Sequence, residues 1–227
     1  MKRPIFYDTE TTGIHCEKDR IVEIAAYDSF QDKTFSTFIN PGRAIPKEAS
    51  QVHGITDDMV KEAPSFADAG QQFIEFCGDD AVLVAHNNFA FDKKFLENEA
   101  ARYNLSLPKW SFFDTLLWAR RYRNDLPKHT LQFLREVYGI EANCAHRALD
   151  DTIILHRIFL AMLDDLSIEQ AMHLMKRSKN VMPFGKHKGM PLSRVPKRYL
   201  SWLKSSGALD KPENADLKEA ILAESRT

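Results

Sequence analysis

The sequence has few cysteines and no long apolar run, and both shortages limit what the chain can be. Its three cysteines are scattered over 227 residues and follow no metal-ligand spacing. An odd, scattered set gives no disulfide framework, as is usual in a reducing compartment. No apolar run reaches the roughly 18 residues that span a bilayer, and the basic start MKRPIFYD has no secretory pattern. We therefore expect a cytoplasmic globular protein with no membrane partner.

Acidic residues are missing from one segment of the chain. Residues 176–204 contain nine Lys or Arg and no Asp or Glu, whereas residues 1–175 contain 27 acidic and 19 basic side chains. The formal net charge of the whole chain is only −1. This asymmetry indicates an acidic body joined to a basic segment. The simplest interpretation of such a segment alone is a solvated surface.

The hydrophobic pattern predicts an α/β fold. Apolar or alternating runs at residues 5–7, 20–26 and 33–39 predict three strands joined as an antiparallel meander. Further strands are predicted at 81–85 and 110–113, each followed by a helical pattern. Strands that alternate with helices after a meander predict one mixed five-stranded sheet flanked by helices.

The same pattern divides the chain into three parts. We assign residues 1–165 to the α/β domain, 166–180 to a linker helix and 181–227 to a small basic C-terminal module. In the module, Tyr199, Leu200, Trp202 and Leu203 form an apolar face. We expect this face, including Trp202, to be the module's own core.

The stretch IFYDTETTGI places two carboxylates at the end of the first strand. Residues two apart on a strand point to the same side, so Asp8 and Glu10 can converge on one point. Two ionised carboxylates that close repel each other unless a cation lies between them. Hard oxygen ligands of this kind suit Mg²⁺ or Mn²⁺. A strand end followed by a threonine-rich turn is the alternative interpretation.

Two later motifs add carboxylates. HNNFAFD, residues 86–92, leaves a buried strand and places Asp92 in the first turn of a helix predicted over residues 89–103. AHRALDD, residues 145–151, places His146 and Asp151 at the start of another helix. Each motif alone is also explained by the preference of acidic residues for helix N-termini.

The three motifs together resemble the DEDDh family of 3′-to-5′ exonucleases, which have a ribonuclease-H-like fold. The matches are D-x-E-x-T-G at 8–13, H-N-x-x-x-F-D at 86–92 and H-x-A-x-x-D at 146–151. The segment FGKHKG…YLSWL resembles the C-terminal module of exonuclease X-like bacterial proteins. The resemblance implies hydrolysis of DNA from the 3′ end to nucleoside 5′-monophosphates, in repair or end-trimming.

The resemblance also implies a role for each motif residue. Two divalent ions, Mg²⁺ or Mn²⁺, would be held by four carboxylates, with His146 as the general base. The implied metal ligands are Asp8, Glu10, Asp92 and Asp151. The implied substrate contacts are Thr11, Thr12, Ile14, His53 and Asn87. For each of these five, a structural role is an open alternative.

The basic segment adds a possible nucleic-acid surface. An acidic catalytic body has a polyanionic substrate, and clustered cations raise affinity for phosphate backbones. The predicted patch comprises Lys186, Lys188, Lys197 and Arg198. Stacking of bases on Phe184, Tyr199 and Trp202 is the alternative to a place for these rings in the module's core. DNA is the expected partner in preference to RNA, with a DNA polymerase or repair protein as a possible second partner.

Three alternatives stay open at this point. A proofreading subunit like polymerase III epsilon and a 3′-to-5′ exoribonuclease share the same five motif residues. The third is a binding module that does not cut, although all five motif positions are intact.

Overall fold

The structure is a computed structural model that describes residues 2–141, 148–178, 181–210 and 214–224. It divides into two units, Met1–Asp165 and Leu166–Thr227. The predicted boundaries at 165 and 180 stay a prediction, and the helix of the predicted linker belongs to the second unit. No helix in the part of the chain that the structure describes is long and apolar enough to cross a membrane.

A mixed five-stranded sheet forms the centre of the first unit, as predicted. Its strands are β1 (Arg3–Thr11), β2 (Ile21–Asp28), β3 (Lys33–Phe38), β4 (Ala81–Ala85) and β5 (Ser111–Asp114). The order across the sheet is β3-β2-β1-β4-β5. The first three strands pair antiparallel, while β4 pairs parallel with both β1 and β5. The carboxyl ends of β1, β4 and β5 therefore meet at one edge.

Helices cover both faces of the sheet. They are α1 (Lys47–His53), α2 (Asp57–Val60), α3 (Phe66–Cys77), α4 (Asp92–Arg102), α5 (Thr115–Tyr122), α6 (Leu131–Val137) and α7 (Ala148–Leu163). Tyr7 of β1 shares a buried cluster with Phe73 of α3 and Phe95 of α4. Phe6 points the other way and contacts the ring of Phe159 in α7, 5.7 Å away between centroids. Central strands are therefore apolar on both sides.

Local sequence explains where several elements begin and end. Asp114 caps α5, because its side chain accepts hydrogen bonds from the backbone N–H groups of Leu116 and Leu117. Gly139 follows α6 with a φ of 63°, a left-handed conformation that glycine adopts without strain. The two boundaries nearest the predicted ligands differ from the prediction. β1 continues through Asp8 and Glu10 to Thr11, and α4 begins at Asp92 rather than near residue 89.

The second unit is helical and has its own core. It contains α8 (Ile168–Ser178), α9 (Lys197–Ser205) and α10 (Ala215–Glu224), with single 3₁₀ turns at Gly185–His187, Leu192–Arg194 and Ala208–Asp210. Its core is built from Met182, Leu192, Val195, Leu203, Leu209, Leu217 and Ile221. Trp202 is outside this core with 56% of its surface exposed, so the predicted burial of Trp202 is wrong.

Candidate metal centre and active site

The face of β1 that carries the two carboxylates lies under α7. Phe6, Asp8 and Glu10 alternate along β1 and so share one face. Phe6 contacts the rings of His156 and Phe159 in α7, at centroid distances of 4.8 and 5.7 Å. Asp151 lies in the first turns of α7, about one turn before His156. The packing of α7 on β1 thus brings Asp151 over the strand, where the helix dipole also favours an anion.

Three carboxylates meet at this place. One carboxylate oxygen from each of Asp8, Glu10 and Asp151 lies within 4.8 Å of the others, and all three residues are half-buried. The register of β1 against β2 shifts between Glu10 and Thr11, a bulge of the kind that often re-aims side chains at active sites. The three ligands come from a central strand and a packed helix, so the backbone holds them in place.

The electrostatics of the cluster are unfavourable without a cation. Burial, followed by the charges of Asp92, Glu10 and Asp151, raises the pKa of Asp8 well above its usual value. Burial, followed by the charge of Glu23, raises the pKa of Glu10 to about 8. Among the described residues, no Lys or Arg forms a salt bridge with Asp8, Glu10 or Asp92.

This donor set suits a hard divalent cation. Carboxylate oxygens are the ligands that Mg²⁺ and Mn²⁺ prefer. A bound cation would keep ionised the carboxylates that burial and repulsion otherwise protonate. The residues present therefore fit the divalent metal that the sequence motifs imply.

Asp92 lies beside the cluster rather than in it. Its side chain accepts hydrogen bonds at Oδ1 from the Thr9 hydroxyl (2.8 Å) and from the Thr9 backbone N–H (3.2 Å). Burial raises its pKa to about 7, and the Thr9 hydrogen bonds oppose that rise. Among the neighbouring charges, that of Asp92 raises the pKa of Asp8 the most. Thr9 thus attaches the fourth predicted ligand to the strand that carries the first two.

The turn between β4 and α4 explains how Asp92 reaches this position. Asn87 has a φ of 69°, a left-handed conformation that asparagine tolerates better than most residues. Its carbonyl accepts hydrogen bonds from the N–H groups of Ala90 and Phe91. Asp114, at the end of the neighbouring parallel strand, accepts the Phe89 N–H at 3.0 Å. The turn occupies residues 86–91, which delays the helix start to Asp92.

Thr11, the last residue of β1, and Thr12 just after it form side-chain hydrogen bonds within the turn that follows the strand. The Thr11 hydroxyl donates to the Gly13 carbonyl at 2.6 Å, and the Thr12 hydroxyl accepts the Arg20 N–H at 3.0 Å. Both side chains are buried. Ile14, at the tip of this turn, is 76% exposed. The turn therefore presents one apolar side chain to solvent.

Two other predicted substrate contacts differ in burial. His53 is buried, and its Nδ1 accepts the Ile55 N–H at 3.0 Å. Its Nε2 forms no hydrogen bond with any residue that the structure describes. Burial lowers the pKa of His53, which favours the neutral ring. Asn87 is half-buried. The contact roles of all five residues stay predictions, and His146 lies outside the described residues.

Two residues of this region were missed by sequence reasoning. Glu23 of β2 is buried and lies opposite Glu10 in the sheet register. Asn88 is fully buried, donates to the carbonyls of Leu83 and Phe113, and accepts from the Tyr7 hydroxyl at 2.5 Å. A charged residue in the otherwise apolar run IVEIAA, residues 21–26, was the available signal for Glu23.

The sequence of this first unit matches a known family. A family model described as "Exonuclease" (RNase_T) matches residues 5–159, which include all four carboxylates. The chain belongs to this exonuclease family. The predicted family resemblance and the enzyme class are therefore confirmed. A separate model, described as "Putative quorum-sensing-regulated virulence factor", matches residues 170–213. The predicted likeness of the C-terminal segment to the exonuclease X module stays a prediction.

Individual relatives support the family assignment. The exonuclease domain is 38% identical over 163 residues to "DNA polymerase III subunit epsilon" of Treponema pallidum, covering 69% of this chain and 74% of that protein. It is 34% identical over 181 residues to "Exonuclease DPD1, chloroplastic/mitochondrial" of Arabidopsis thaliana, covering 72% of this chain and 57% of that protein. The chain therefore spans little more than half the length of the second relative.

Solved structures share the fold. An Escherichia coli exonuclease I structure with a dA16 oligonucleotide has a TM-score of 0.65 at 22% identity, covering 79% of this chain and 44% of that one. A structure of exonuclease X with 5′-overhanging duplex DNA has a TM-score of 0.56 at 26% identity. It covers 75% of this chain and 96% of that one. The predicted fold, an α/β domain of the exonuclease type, is thus confirmed.

Proposed function

We propose that this chain hydrolyses DNA from the 3′ end and releases nucleoside 5′-monophosphates, in DNA repair or end-trimming. The observation that carries the proposal is the convergence of Asp8, Glu10 and Asp151 within 4.8 Å, in a domain of the exonuclease family. The 3′-to-5′ direction follows from the DEDDh motif pattern. The preference for DNA is supported by relatives whose names or structures involve DNA.

The chain's own residues divide the work in this mechanism. Asp8, Glu10 and Asp151 would hold one divalent ion, and Asp8 and Asp92 would hold a second. Two such ions supply charge neutralisation on the phosphate, an activated water and stabilisation of the departing 3′ oxygen. His146 would accept the proton of the attacking water, since an unperturbed histidine pKa of about 6.5 leaves it neutral at physiological pH.

The turn after β1 would position the terminal nucleotide. Ile14 is exposed at its tip, so its side chain is available to pack against the last base. The buried Glu99 of α4 binds Arg20 at 2.7 Å and Arg102 at 3.0 Å. Arg102 in turn donates to the carbonyls of Cys16 and Asp19. A turn held in this way can present an apolar side chain at a defined position.

The decisive experiment uses 5′-labelled single-stranded DNA, duplex DNA and RNA in separate reactions. Each is incubated with Mg²⁺, with Mn²⁺ or with chelator. We expect a ladder of labelled products that shortens from the 3′ end of DNA and is absent with chelator. Asp8→Asn should abolish the ladder, whereas Asp58→Asn, whose carboxylate is 93% exposed on α2, should leave it unchanged.

Different product patterns would contradict the proposal. Immediate release of a labelled mononucleotide would show cutting from the 5′ end, and internal fragments would show an endonuclease. Full activity of the Asp8→Asn variant would remove the carboxylate cluster from the reaction. Faster shortening of RNA than of DNA would favour the exoribonuclease alternative.

Proofreading beside a polymerase is the second candidate function. It is favoured by the 38% identity to a DNA polymerase III subunit epsilon. Size-exclusion chromatography of the chain with a purified polymerase III catalytic subunit tests this candidate. Co-elution, together with faster removal of mismatched than of paired 3′ ends, would support it.

A further inference from the structure

An aromatic surface in the second unit is built from three rings beside a glycine-bracketed loop. The rings of His187 and Tyr199 lie 4.6 Å apart between centroids, and those of Tyr199 and Trp202 lie 5.4 Å apart. Tyr199 packs against the unit's core, whereas Trp202 is 56% exposed. More than half of the Trp202 surface is therefore available for contact with a ligand.

The loop of residues 182–189 packs closely against Tyr199. Gly185 has a φ of 73°, and a Cβ added there would lie 2.5 Å from the Tyr199 hydroxyl. The backbone of the loop therefore approaches Tyr199 more closely than any other residue would allow. The Gly189 N–H donates to the Met182 carbonyl at 2.8 Å, which closes the loop over residues 182–189. Lys186 and Lys188 belong to this loop and flank His187 in the chain.

Exposed basic residues adjoin two of these rings in the chain, on either side of His187 and just before Tyr199. Lys186 and Lys188 are exposed on the loop, and Lys197 and Arg198 are exposed in the first turn of α9. Within the described part of the chain, none of these four forms a salt bridge. Cations in the first turn oppose the helix dipole, so Lys197 and Arg198 do not stabilise α9 through their charge. The segment 176–204 has no acidic residue.

We propose that this surface, consisting of His187, Tyr199, Trp202, Lys186, Lys188, Lys197 and Arg198, binds single-stranded nucleic acid by stacking a base on Trp202. Exposed aromatic rings combined with unpaired cations are the chemistry of single-strand recognition. Duplex DNA keeps its base faces stacked internally, so it would satisfy the cations but not Trp202. An acidic peptide would leave the exposed ring similarly unused. The site goes beyond the proposed reaction, because binding here requires neither metal nor cleavage.

Intrinsic fluorescence of the full chain tests the site directly. Trp202 is the exposed member of the three tryptophans, since Trp110 and Trp118 are 7% and 1% exposed. With chelator present to prevent cleavage, a dT oligonucleotide should quench the emission, whereas a poly-glutamate peptide should not. Trp202→Ala should weaken dT binding at least about fivefold, and Trp202→Phe should recover most of the affinity.

Two further variants separate stacking from charge. Lys186→Gln combined with Lys188→Gln should reduce the slope of log affinity against log salt by about 1.4. Phe30→Ala removes a 55% exposed aromatic ring from the first unit and should leave dT binding unchanged. Cleavage of the p-nitrophenyl ester of thymidine 5′-monophosphate, too small to need a second site, should be equal in wild type and Trp202→Ala.

The outcomes distinguish this inference from the proposed function. Unchanged dT affinity in a folded Trp202→Ala variant, or equal quenching by poly-glutamate, would overturn the stacking site. Tighter binding of duplex than of single strands would also overturn it. If the wild-type chain does not cleave the ester, that result counts against the proposed reaction alone, because the binding measurement is made without metal.

Discussion

In the folded protein without a bound cation, protonation of Asp8 is favourable because it removes a buried negative charge. Burial and four neighbouring carboxylates raise its pKa well above the usual value, and burial raises the pKa of Glu10 to about 8. In the unfolded chain such groups titrate near pH 4. Between these values the folded state binds more protons than the unfolded state, so stability falls as the pH rises. The cluster therefore opposes folding most at neutral and higher pH.

We predict that Asp8→Asn raises the melting temperature of the metal-free protein. The gap over the wild type should widen from pH 4 to pH 8, because the removed charge is increasingly costly over that window. Thermal unfolding in chelator measures it. The comparison with the variant is necessary because histidines such as the half-buried His86, whose pKa is lowered to about 4, shift stability in the opposite direction.

Added Mg²⁺ should reverse the order of the two melting temperatures, so that the wild type becomes the more stable protein. The wild type should gain melting temperature by mass action, and Asp8→Asn should gain little. A metal-free gap that is constant or narrows with pH would contradict the repulsion argument.

We predict that His146→Ala lowers the rate of DNA cleavage by about 10²- to 10⁴-fold, the usual contribution of a general base. Mn²⁺ affinity, measured by calorimetry, should stay the same, because the carboxylates are intact. His173→Ala, at an exposed position in α8, is the matched control and should cleave normally. Equal loss of metal affinity and activity would instead make His146 a structural or ligand residue.

The residues of the acidic cluster were easier to predict from the sequence than the residues that surround it. Asp8, Glu10 and Asp151 were found because i, i+2 spacing and a helix start are local features. Glu23 is opposite Glu10 only because β2 pairs with β1 in one register, and a single strand does not reveal its register. Trp202 lies at the edge of the helix face marked by Tyr199 and Leu203, where periodicity does not decide burial.

At the scale of elements, β1 and the start of α4 are held together by Thr9. We predict that Thr9→Val lowers activity about tenfold or more, since a hydrogen bond to a carboxylate contributes about 1.5–3 kcal/mol. Without the hydroxyl, the pKa of Asp92 should rise further, so the activity loss should shrink at higher pH. Rate measurements across pH test both statements.

Thr34→Val is the control for this prediction. Thr34 is exposed on the edge strand β3, so its loss removes a hydroxyl without touching Asp92. Equal effects of the two substitutions would show that the Thr9 hydroxyl has no special role.

Glu99 of α4 binds both Arg20, in the turn of residues 12–20, and Arg102, which donates to two carbonyls of that turn. We predict that Glu99→Gln exposes Lys18 and Arg20 to trypsin, because Arg20 and Arg102 lose their common partner. Limited proteolysis of the folded protein measures the effect. Glu97→Gln, on the same helix but 51% exposed, should leave the turn protected. Protection in both variants would show that other contacts suffice.

Element boundaries were the least predictable part of the fold. The helix pattern around Phe91 and Phe95 suggested a start near residue 89, but the left-handed Asn87 and the Phe89–Asp114 hydrogen bond use those residues for a turn. Neither interaction is visible in the local pattern. Strand type and order were predictable because apolar runs, short links and crossover helices restrict a mixed sheet to few arrangements.

At the scale of the whole molecule, the chain consists of two units with separate cores. All five strands, the four carboxylates and Glu99 lie within Met1–Asp165. We predict that a chain shortened to residues 1–165 folds cooperatively and keeps its stabilisation by Mg²⁺. Thermal unfolding with and without Mg²⁺ measures both. A shortened chain that fails to fold, or no longer responds to Mg²⁺, would show that the first unit depends on the second.

Asp114 has a consequence for anyone who transplants this site into another scaffold. One of its oxygens caps α5, and the other receives the Phe89 N–H of the ligand-bearing turn. A graft of residues 86–92 alone would leave that amide without its acceptor, and asparagine in the same place offers only one acceptor oxygen. The smallest portable fragment therefore includes a strand that contributes no metal ligand.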